Sequence, residues 1–495
     1  MTTARASGLL LHPTSLPGRF GIGDLGPEAS RWVDFLAAAG QKLWQILPLG
    51  PTGYGDSPYQ CFSAFAGNPY LVSPERLLDD DLLEPADLAG VPAFPAERVD
   101  YGPVIEWKLA ILAKAHARFA AGAVPGLRRD YEGFCRSQAG WLEDFALFMA
   151  LKESHGGATW TSWEKALVAR EPGALAASRE RLAVAVDSQR FRQFLFFRQW
   201  SAVRRCARAA GVRIIGDLPI FVAHDSADVW AHPEFFQLDA RGVPVVMAGV
   251  PPDYFTKTGQ LWGNPLYRWD VMARDGYAWW IERLRATFKV VDIARLDHFR
   301  GFEAYWEVPG GETTAKKGRW VKGPGESFIE SVRVALGALP IIAEDLGLVT
   351  PEVLALRDRF GLPGMKILQF AFEKDASHPF LPHNFPTNCV VYTGTHDNDT
   401  TRGWYASAPE PQRHFARSYL GCAGGDFTWE LIRAGMASVA DTFIAPLQDV
   451  LDLGPEARMN LPGSHGGNWG WRFRREQVTD AVGARLRDLA GTYGR

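Results

Sequence analysis

The amino-acid sequence predicts an α/β fold, a closed (β/α)8 barrel interrupted by inserted subdomains. Three observations support it: apolar, β-rich segments recur eight times, helical patterns separate them, and a few connections are unusually long. The predicted strands span residues 8–13, 43–49, 212–219, 290–297, 341–346, 365–370, 389–395 and 441–447. Strands that alternate with helices pair in parallel, and eight such units favour closure into a barrel.

The helical segments carry recognisable start and stop signals. Residues 27–40 begin with a proline and end at a glycine. Residues 187–211 repeat apolar side chains at three-to-four spacing until a glycine ends the pattern. Both patterns are typical of helices that connect successive strands.

Three connections are much longer than a barrel requires. They span approximately 50–190 after strand 2, 218–270 after strand 3 and 298–325 after strand 4. Connections longer than about 15 residues are uncommon unless they are functional or form subdomains. We expect the first to be mainly helical and the second to include a lid. All three follow the carboxyl ends of strands, where barrel active sites form, so residues 1–495 are expected to form one catalytic barrel.

Composition and charge exclude several classes of protein. The formal net charge of -3 offers no electrostatic footprint for nucleic acid. The five cysteines are far apart and contain no C-x-x-C pair, which fits a reducing cytoplasm. Neither a signal core nor an apolar run of membrane-spanning length is apparent, so we expect a cytoplasmic protein without a membrane partner.

Two other kinds of site are only weakly indicated. Residues 21–26, GIGDLG, match a dinucleotide-binding pattern, but a spacer separates them from the preceding strand, and the next strand ends without an acidic residue. A catalytic zinc would need more histidines than His12 at the end of the first strand, and no H-E-x-x-H helix occurs. We therefore expect no cofactor and no metal.

The fourth predicted strand ends with a charged pair. Its period of two turns Arg295 and Asp297 to the same side of the strand. A neighbouring arginine lowers the pKa of a carboxylate, which suits a nucleophile.

Two further strand ends carry acids. Glu344 and Asp345 close the fifth strand, and one of them must point inward, whereas His396, Asp397 and Asp399 follow the seventh. A single aspartate at a strand end is usually a turn-capping or salt-bridged residue. Three acidic strand ends at one barrel face instead favour a catalytic group.

Glycosyl transfer requires what these acids offer. A retaining mechanism uses one carboxylate as nucleophile and another as acid then base, about 5–5.5 Å apart. Anionic neighbours would hold Glu344 protonated until Asp297 became an ester. Asp397 could then hydrogen-bond sugar hydroxyls and stabilise an oxocarbenium-like state.

The motifs ARLDHFRG (294–301), AEDLG (343–347) and GTHDNDT (394–400) together resemble the amylomaltases, the 4-α-glucanotransferases of glycoside hydrolase family 77 in the α-amylase clan. The likeness covers essentially the whole chain. It implies that Asp297 is the nucleophile, Glu344 the acid/base and Asp397 the transition-state stabiliser. It also implies a barrel without a carboxyl-terminal β-sandwich, and only about fifty residues follow the eighth strand.

The resemblance also implies substrate ligands on strand ends and long loops. These are Arg295, His396, Tyr59, Asp253, Trp262 and Asn468. His298 is either another sugar contact or a strand-end histidine bonded to backbone. Tyr54 and Tyr101 match aromatics of a remote glucan-binding site.

Three functions remain open from the residues alone. A 4-α-glucanotransferase and an amylase-like hydrolase would use the same acids, and they differ in whether a sugar hydroxyl or water reaches the glycosyl-enzyme first. A noncatalytic glucan-binding protein would not need all three acids. The resemblance favours the transferase, with α-1,4-glucans as partners and a monomer or weak homo-oligomer as the assembly.

Overall fold

The computed structural model describes residues 5–252, 256–464 and 466–495. Its strands are β1 (Ala6–Leu10), β2 (Leu43–Gln45), β3 (Arg213–Pro219), β4 (Val246–Val250), β5 (Gln260–Pro265), β6 (Ile293–Asp297), β7 (Ala304–Pro309), β8 (Arg319–Lys322), β9 (Ile341–Ala343), β10 (Gly364–Ile367), β11 (Cys389–Tyr392) and β12 (Thr442–Pro446).

The helices flank and connect these strands. They are α1 (Pro27–Ala38), α2 (Pro74–Asp79), α3 (Tyr101–Ala120), α4 (Pro125–Ser154), α5 (Lys165–Val168), α6 (Pro172–Arg181), α7 (Ala183–Ala209), α8 (Ala227–Ala231), α9 (Trp269–Arg274), α10 (Ala278–Val290), α11 (Gly325–Leu336), α12 (Pro351–Arg359), α13 (Thr401–Ser407), α14 (Glu410–Leu420), α15 (Phe427–Ala437), α16 (Leu447–Val450) and α17 (Asp480–Thr492).

Eight parallel strands form the barrel. Their order around the sheet is β10-β11-β12-β1-β2-β3-β6-β9, so each barrel strand lies beside the next one in the chain. At the seam between the two outermost strands, the Ala343 N–H donates to the Pro363 carbonyl at 2.9 Å. The predicted (β/α)8 barrel is therefore confirmed.

Local sequence explains how the first barrel helix begins and ends. Pro27 occupies the first turn of α1, where its missing N–H costs nothing. The helix ends at Ala38, and Gly40 continues the chain with a φ of 69°, which side chains disfavour. The turn then leads directly into β2.

Apolar side chains fill the barrel and the space around it. The interior cluster alternates along the strands and includes Leu10, Leu43, Ile215, Ile342, Met365 and Ile444. Two larger clusters pack the helices against the outside of the sheet. Within the described parts of the chain, no helix combines the length and apolarity that crossing a membrane requires.

The long connections differ in structure. Helices α2 to α7 lie between β2 and β3. The connection after β3 contributes β4 and β5, and the connection after β6 contributes β7 and β8. Since β4 pairs with β7 in antiparallel register, both connections share one four-stranded sheet, of order β5-β4-β7-β8. We call this unit the small sheet.

Candidate active site

The register of β3, β6 and β9 brings charged side chains together at one end of the barrel. Asp217 on β3 lies directly opposite Arg295 on β6. Leu296 pairs with Ala343, so Asp297 and Glu344 are the next residues on neighbouring strands. The strand ends therefore hold their acids side by side, as barrel active sites do.

Arg295 is the buried cation of this group, with 4% of the residue exposed. Its Nη1 lies 2.6 Å from an Asp217 oxygen and 2.9 Å from an Asp297 oxygen. Its Nε donates to the Met365 thioether at 3.3 Å. Burial opposes the charge, but Asp217 and Asp297 raise the pKa of Arg295 well above its ordinary value. The guanidinium therefore stays charged.

Asp297 is enclosed by the site, although 29% of its side chain remains exposed. Desolvation raises the pKa of its carboxyl to about 6, with Arg295 lowering it and Asp217 raising it. The expectation that a neighbouring arginine keeps Asp297 ionised thus describes only the smaller of two opposing effects. The carboxyl is still mostly ionised at neutral pH.

Glu344 is buried and held at both oxygens. It accepts the His298 and Leu346 backbone N–H groups, each at 2.7 Å. Burial raises its pKa to about 7, whereas Arg295 lowers it and Asp297 raises it. Burial, more than the expected anionic neighbours, therefore favours the protonated form. Two carboxyls on neighbouring strands whose pKa values are both raised by burial are typical of an active site that contains an acid and a nucleophile.

Tyr59 and His396 connect Asp217 to Asp397. The Tyr59 hydroxyl donates to Asp217 at 2.8 Å and lies 2.9 Å from His396 Nε2. Since the single hydroxyl proton goes to Asp217, His396 Nε2 is assigned the ring proton. This nitrogen also lies 3.4 Å from an Asp397 oxygen. The tautomer therefore places a donor between Tyr59 and Asp397.

Asp397 differs from the other acids because 45% of its side chain is exposed. One carboxylate oxygen accepts from Asn460 Nδ2 at 2.6 Å. Its backbone carbonyl accepts from Arg458 at 2.6 Å. The carboxylate is thus oriented while remaining open to a ligand.

Asp217 is the member of the group that sequence reasoning missed. It lies inside the predicted third strand, two residues before its end. The same rule that selected Asp297, an acid near the carboxyl end of a barrel strand, could have found it. Asn460 has no such signal, because it lies in a loop more than sixty residues after Asp397 and outside every motif.

His298 has an unusual backbone and an enclosed ring. Its φ of 53° lies in the left-handed region, and its ring meets Trp262 edge-on at 4.8 Å. Nε2 is buried and has no hydrogen-bond partner among the described residues. Burial, with Arg300 adding to it, lowers the pKa of His298 to about 3 and keeps the ring neutral. Its backbone holds Glu344.

The remaining predicted ligands lie on two loops. Asn468 accepts from the Leu461 N–H at 3.0 Å and donates to Ser464 at 2.9 Å, so its amide shapes its own loop. The next residue, Trp469, packs against Tyr59 and His396 with ring centroids 5.7 and 5.9 Å away. Asp253 lies outside the described residues.

Of the two residues of the predicted remote site, Tyr101 has a described contact with the loop that bears Trp469. Tyr54 begins a short 3-10 turn, Tyr54–Asp56. The Tyr101 hydroxyl donates to the Trp469 carbonyl at 2.9 Å. Tyr101 therefore contacts Trp469, whose ring in turn packs against Tyr59 and His396. The part of the chain that the structure describes contains no cluster of three or more metal-ligating side chains.

Comparison with known proteins gives consistent matches along the chain. A family model described as 4-alpha-glucanotransferase, glycoside hydrolase family 77, matches residues 11–478. The chain is 54% identical to the 4-alpha-glucanotransferase of Thermus thermophilus over 498 residues, covering 99% of both chains. It is 52% identical to the Synechocystis 4-alpha-glucanotransferase, covering 100% of this chain and 99% of the relative.

Solved structures give the same result. An amylomaltase from Streptococcus agalactiae in complex with acarbose superposes with a TM-score of 0.97 at 40% identity, covering 99% of each chain. The Corynebacterium glutamicum amylomaltase matches with a TM-score of 0.77 at 19% identity and supports the fold alone, covering 98% of this chain and 75% of that one.

Proposed function

Since the chain belongs to glycoside hydrolase family 77, the 4-alpha-glucanotransferases, we infer that it transfers α-1,4-glucan segments from a donor to the 4-hydroxyl of an acceptor. The observation that carries this function is the carboxyl pair on neighbouring strands. Burial raises the pKa of Asp297 to about 6 and that of Glu344 to about 7, so the pair can hold one proton between them near neutral pH.

We propose a retaining double displacement on these two residues. Asp297 attacks the anomeric carbon, and Glu344 protonates the departing glycosidic oxygen, which gives a covalent glycosyl-enzyme. Esterification removes the Asp297 charge, which is one cause of the raised pKa of Glu344. The pKa of Glu344 then falls, so the carboxylate that the first step leaves stays ionised. It takes the proton of the acceptor 4-hydroxyl while that oxygen attacks the anomeric carbon and displaces the Asp297 carboxylate.

The surrounding residues support this pair by position and charge. Arg295 contacts both Asp217 and Asp297, so it fixes the nucleophile and limits the rise of its pKa. Asp397, oriented by Asn460 and open to solvent, is assigned to sugar hydroxyls that distort the ring. His396 donates from Nε2 beside it, and we assign this donor to the same sugar.

The choice of acceptor depends on the walls above the acids. Trp262 on the small sheet lies against His298, and Trp469, in the loop after α16, lies against His396. Aromatic walls on two sides favour a sugar over water as acceptor, because a closing site expels solvent. We assign Tyr59, Asp253, Trp262, His298 and Asn468 to this substrate path. Tyr54 and Tyr101 stay candidates for a separate glucan site.

We further propose that the protein works in the cytoplasm on maltooligosaccharides, amylose, starch or glycogen chains, as a monomer or weak homo-oligomer. All five cysteines are free, which supports a reducing compartment.

Incubation of the pure protein with maltotriose tests the proposed function. We expect longer maltooligosaccharides together with glucose, because one molecule serves as donor and another as acceptor. Shortening without elongation would identify a hydrolase instead. Unchanged maltotriose in the presence of measurable glucan binding would identify a binding protein and would overturn both enzymatic functions.

A further inference from the structure

The barrel closes at the seam between β9 and β10 with help from a side chain. The Asp345 carboxylate accepts the Met365 backbone N–H at 2.7 Å. Its other oxygen accepts from Arg357 Nη1. Asp345 itself is buried, with 5% of the residue exposed. A side chain two residues after the end of β9 thus helps to determine where the backbone of β10 lies.

Gly364 makes room for this closure. A Cβ at this position would lie 2.4 Å from Asp345 Oδ2 and 2.6 Å from Arg357 Nη1. Both distances are shorter than a nonbonded contact permits. The absence of a side chain at Gly364 therefore lets Asp345 and Arg357 reach the start of β10.

Met365, the residue that Asp345 holds, points into the barrel below the acids. It is fully buried in the interior cluster. Its sulfur accepts the Arg295 Nε–H at 3.3 Å, while Arg295 Nη1 donates to Asp217 and forms an ion pair with Asp297. The backbone of β10 is therefore linked through one thioether to the cation that holds the nucleophile.

We propose that Met365 is a positioning residue for the reaction: its thioether holds the Arg295 guanidinium at the angle that directs Nη1 to Asp297. The proposal rests on the glycosyl transfer inferred above. A thioether is a weak, uncharged acceptor. It accepts the hydrogen bond of the buried Arg295 Nε–H without weakening the ion pair between Arg295 and Asp297. A carboxylate at this position would form a second ion pair with Arg295 and weaken the first.

Apolar packing alone would make a different prediction. If Met365 only filled volume, leucine would replace it with little effect, since such swaps conserve size and usually cost little stability. If it positions Arg295, leucine leaves a buried N–H without a partner and frees the guanidinium to turn. The chemical step would then suffer more than substrate binding or folding.

The test compares Met365→Leu with Met436→Leu in the full chain, using disproportionation of maltotriose. Met436 on α15 is also fully buried, and its side chain packs in the outer cluster away from Arg295. We expect kcat of Met365→Leu to fall about tenfold, in line with one lost hydrogen bond to a charged group. KM should change less than twofold, and Met436→Leu should match the wild type.

The pH profile separates positioning from packing. The charged and titratable groups that interact with Asp297 are Arg295, Asp217, Asp397, His396, Glu344 and Tyr59. Among them, only Arg295 has a described hydrogen bond to the Met365 side chain. If the Arg295 guanidinium loses its orientation, its charge lowers the pKa of Asp297 less, so that pKa rises. The acidic limb of kcat/KM should therefore move to higher pH in Met365→Leu and stay in place in Met436→Leu.

A second variant keeps the test decisive if leucine prevents folding. Met365→Gln carries an uncharged acceptor on a chain of similar length, and we expect its kcat and pH profile to stay near those of the wild type. If Met365→Leu does not fold, a folded Met365→Gln with a kcat about tenfold lower would overturn the proposal. Unchanged kcat and pH profile in Met365→Leu, or equal losses in all three variants, would overturn the proposal while leaving the proposed function intact. A wild type that fails to disproportionate maltotriose would overturn both.

Discussion

At the scale of the residue, three carboxylates of one chemical type acquire different properties from their partners. Asp297 has an arginine partner, Glu344 has two backbone donors in a buried place, and Asp397 has an amide partner and an exposed face. Burial and the identity of the nearest donor, rather than the residue type, decide which acid is ionised.

Replacement of Asp297 by asparagine should stop the reaction and spare binding. The amide keeps the shape of the side chain but is not a nucleophile. We expect kcat to fall by about 10⁴-fold or more, as when nucleophiles are removed from other enzymes. Glucan binding should stay measurable by calorimetry. Asp270→Asn, on an exposed face of α9, serves as the control. Wild-type turnover in Asp297→Asn would exclude its role as nucleophile.

The pH dependence of kcat/KM should be bell-shaped. Activity should fall as the pH decreases through about 6, because Asp297 gains a proton there, and as it increases past about 7, because Glu344 loses its proton. The two apparent values belong to the pair, since the carboxyls interact. Glu344→Gln should lose most activity and the alkaline limb together. A residual activity that keeps the alkaline limb would contradict this assignment.

At the scale of the element, the strand ends of a barrel select which residues can cooperate. The acids beside β6 and β9 could be predicted because each strand ends visibly in the sequence, within a few residues. The register between the strands could not be predicted. For example, Asp217 and Arg295 are 78 positions apart in the sequence and meet only when β3 pairs with β6. The residues alone likewise left open which of Glu344 and Asp345 faces inward, and the resemblance implied Glu344 as the acid/base.

Side-chain alternation settles that choice in the structure. Ile342 belongs to the barrel interior, so Glu344, two residues later, faces the same side. Asp345 faces the seam and Arg357.

Short elements were the least predictable: the second strand, expected at 43–49, ends at Gln45. Pro48 lacks the N–H that a longer ladder would need.

The seam yields a prediction of stability at this scale. Gly364→Ala should lower the free energy of unfolding by about 1–3 kcal/mol, because the new methyl group overpacks against Asp345 and Arg357. Gly140→Ala makes the same change in the exposed middle of α4, with nothing within 4 Å. It should raise stability by up to about 1 kcal/mol, since alanine favours helix. Chemical denaturation of both variants measures the difference, and equal effects would contradict the crowding at the seam.

At the scale of the whole molecule, residues from distant parts of the chain close the barrel at the end opposite the acids. The Arg495 guanidinium is buried and donates to backbone carbonyls at the start of β1, at the end of α15 and before β12. Arg5 donates to two of the same carbonyls, of Met436 and Ser438. Two arginine side chains thus donate to backbone carbonyls at this end of the barrel.

Loss of this guanidinium should weaken the entire fold. Arg495→Ala removes the described side-chain donor of the Ala440 carbonyl and one of the two arginine donors of the Met436 and Ser438 carbonyls. We expect the free energy of unfolding to fall by about 1–3 kcal/mol. Arg487→Ala removes an exposed arginine of α17 that contacts one carbonyl, and little change is expected. Thermal and denaturant unfolding should show the difference while kcat stays near that of the wild type. Equal stability of the two variants would contradict the role of Arg495.

The small sheet limits how this enzyme can be re-engineered. Because β4 and β5 come from one connection and β7 and β8 from another, neither connection carries a complete sheet. Grafting only the connection that bears Trp262 from a relative would leave β7 facing a foreign strand. A chimera that exchanges specificity should therefore take both connections from the same relative, the one before β6 and the one after it, so that all four strands of the small sheet still match.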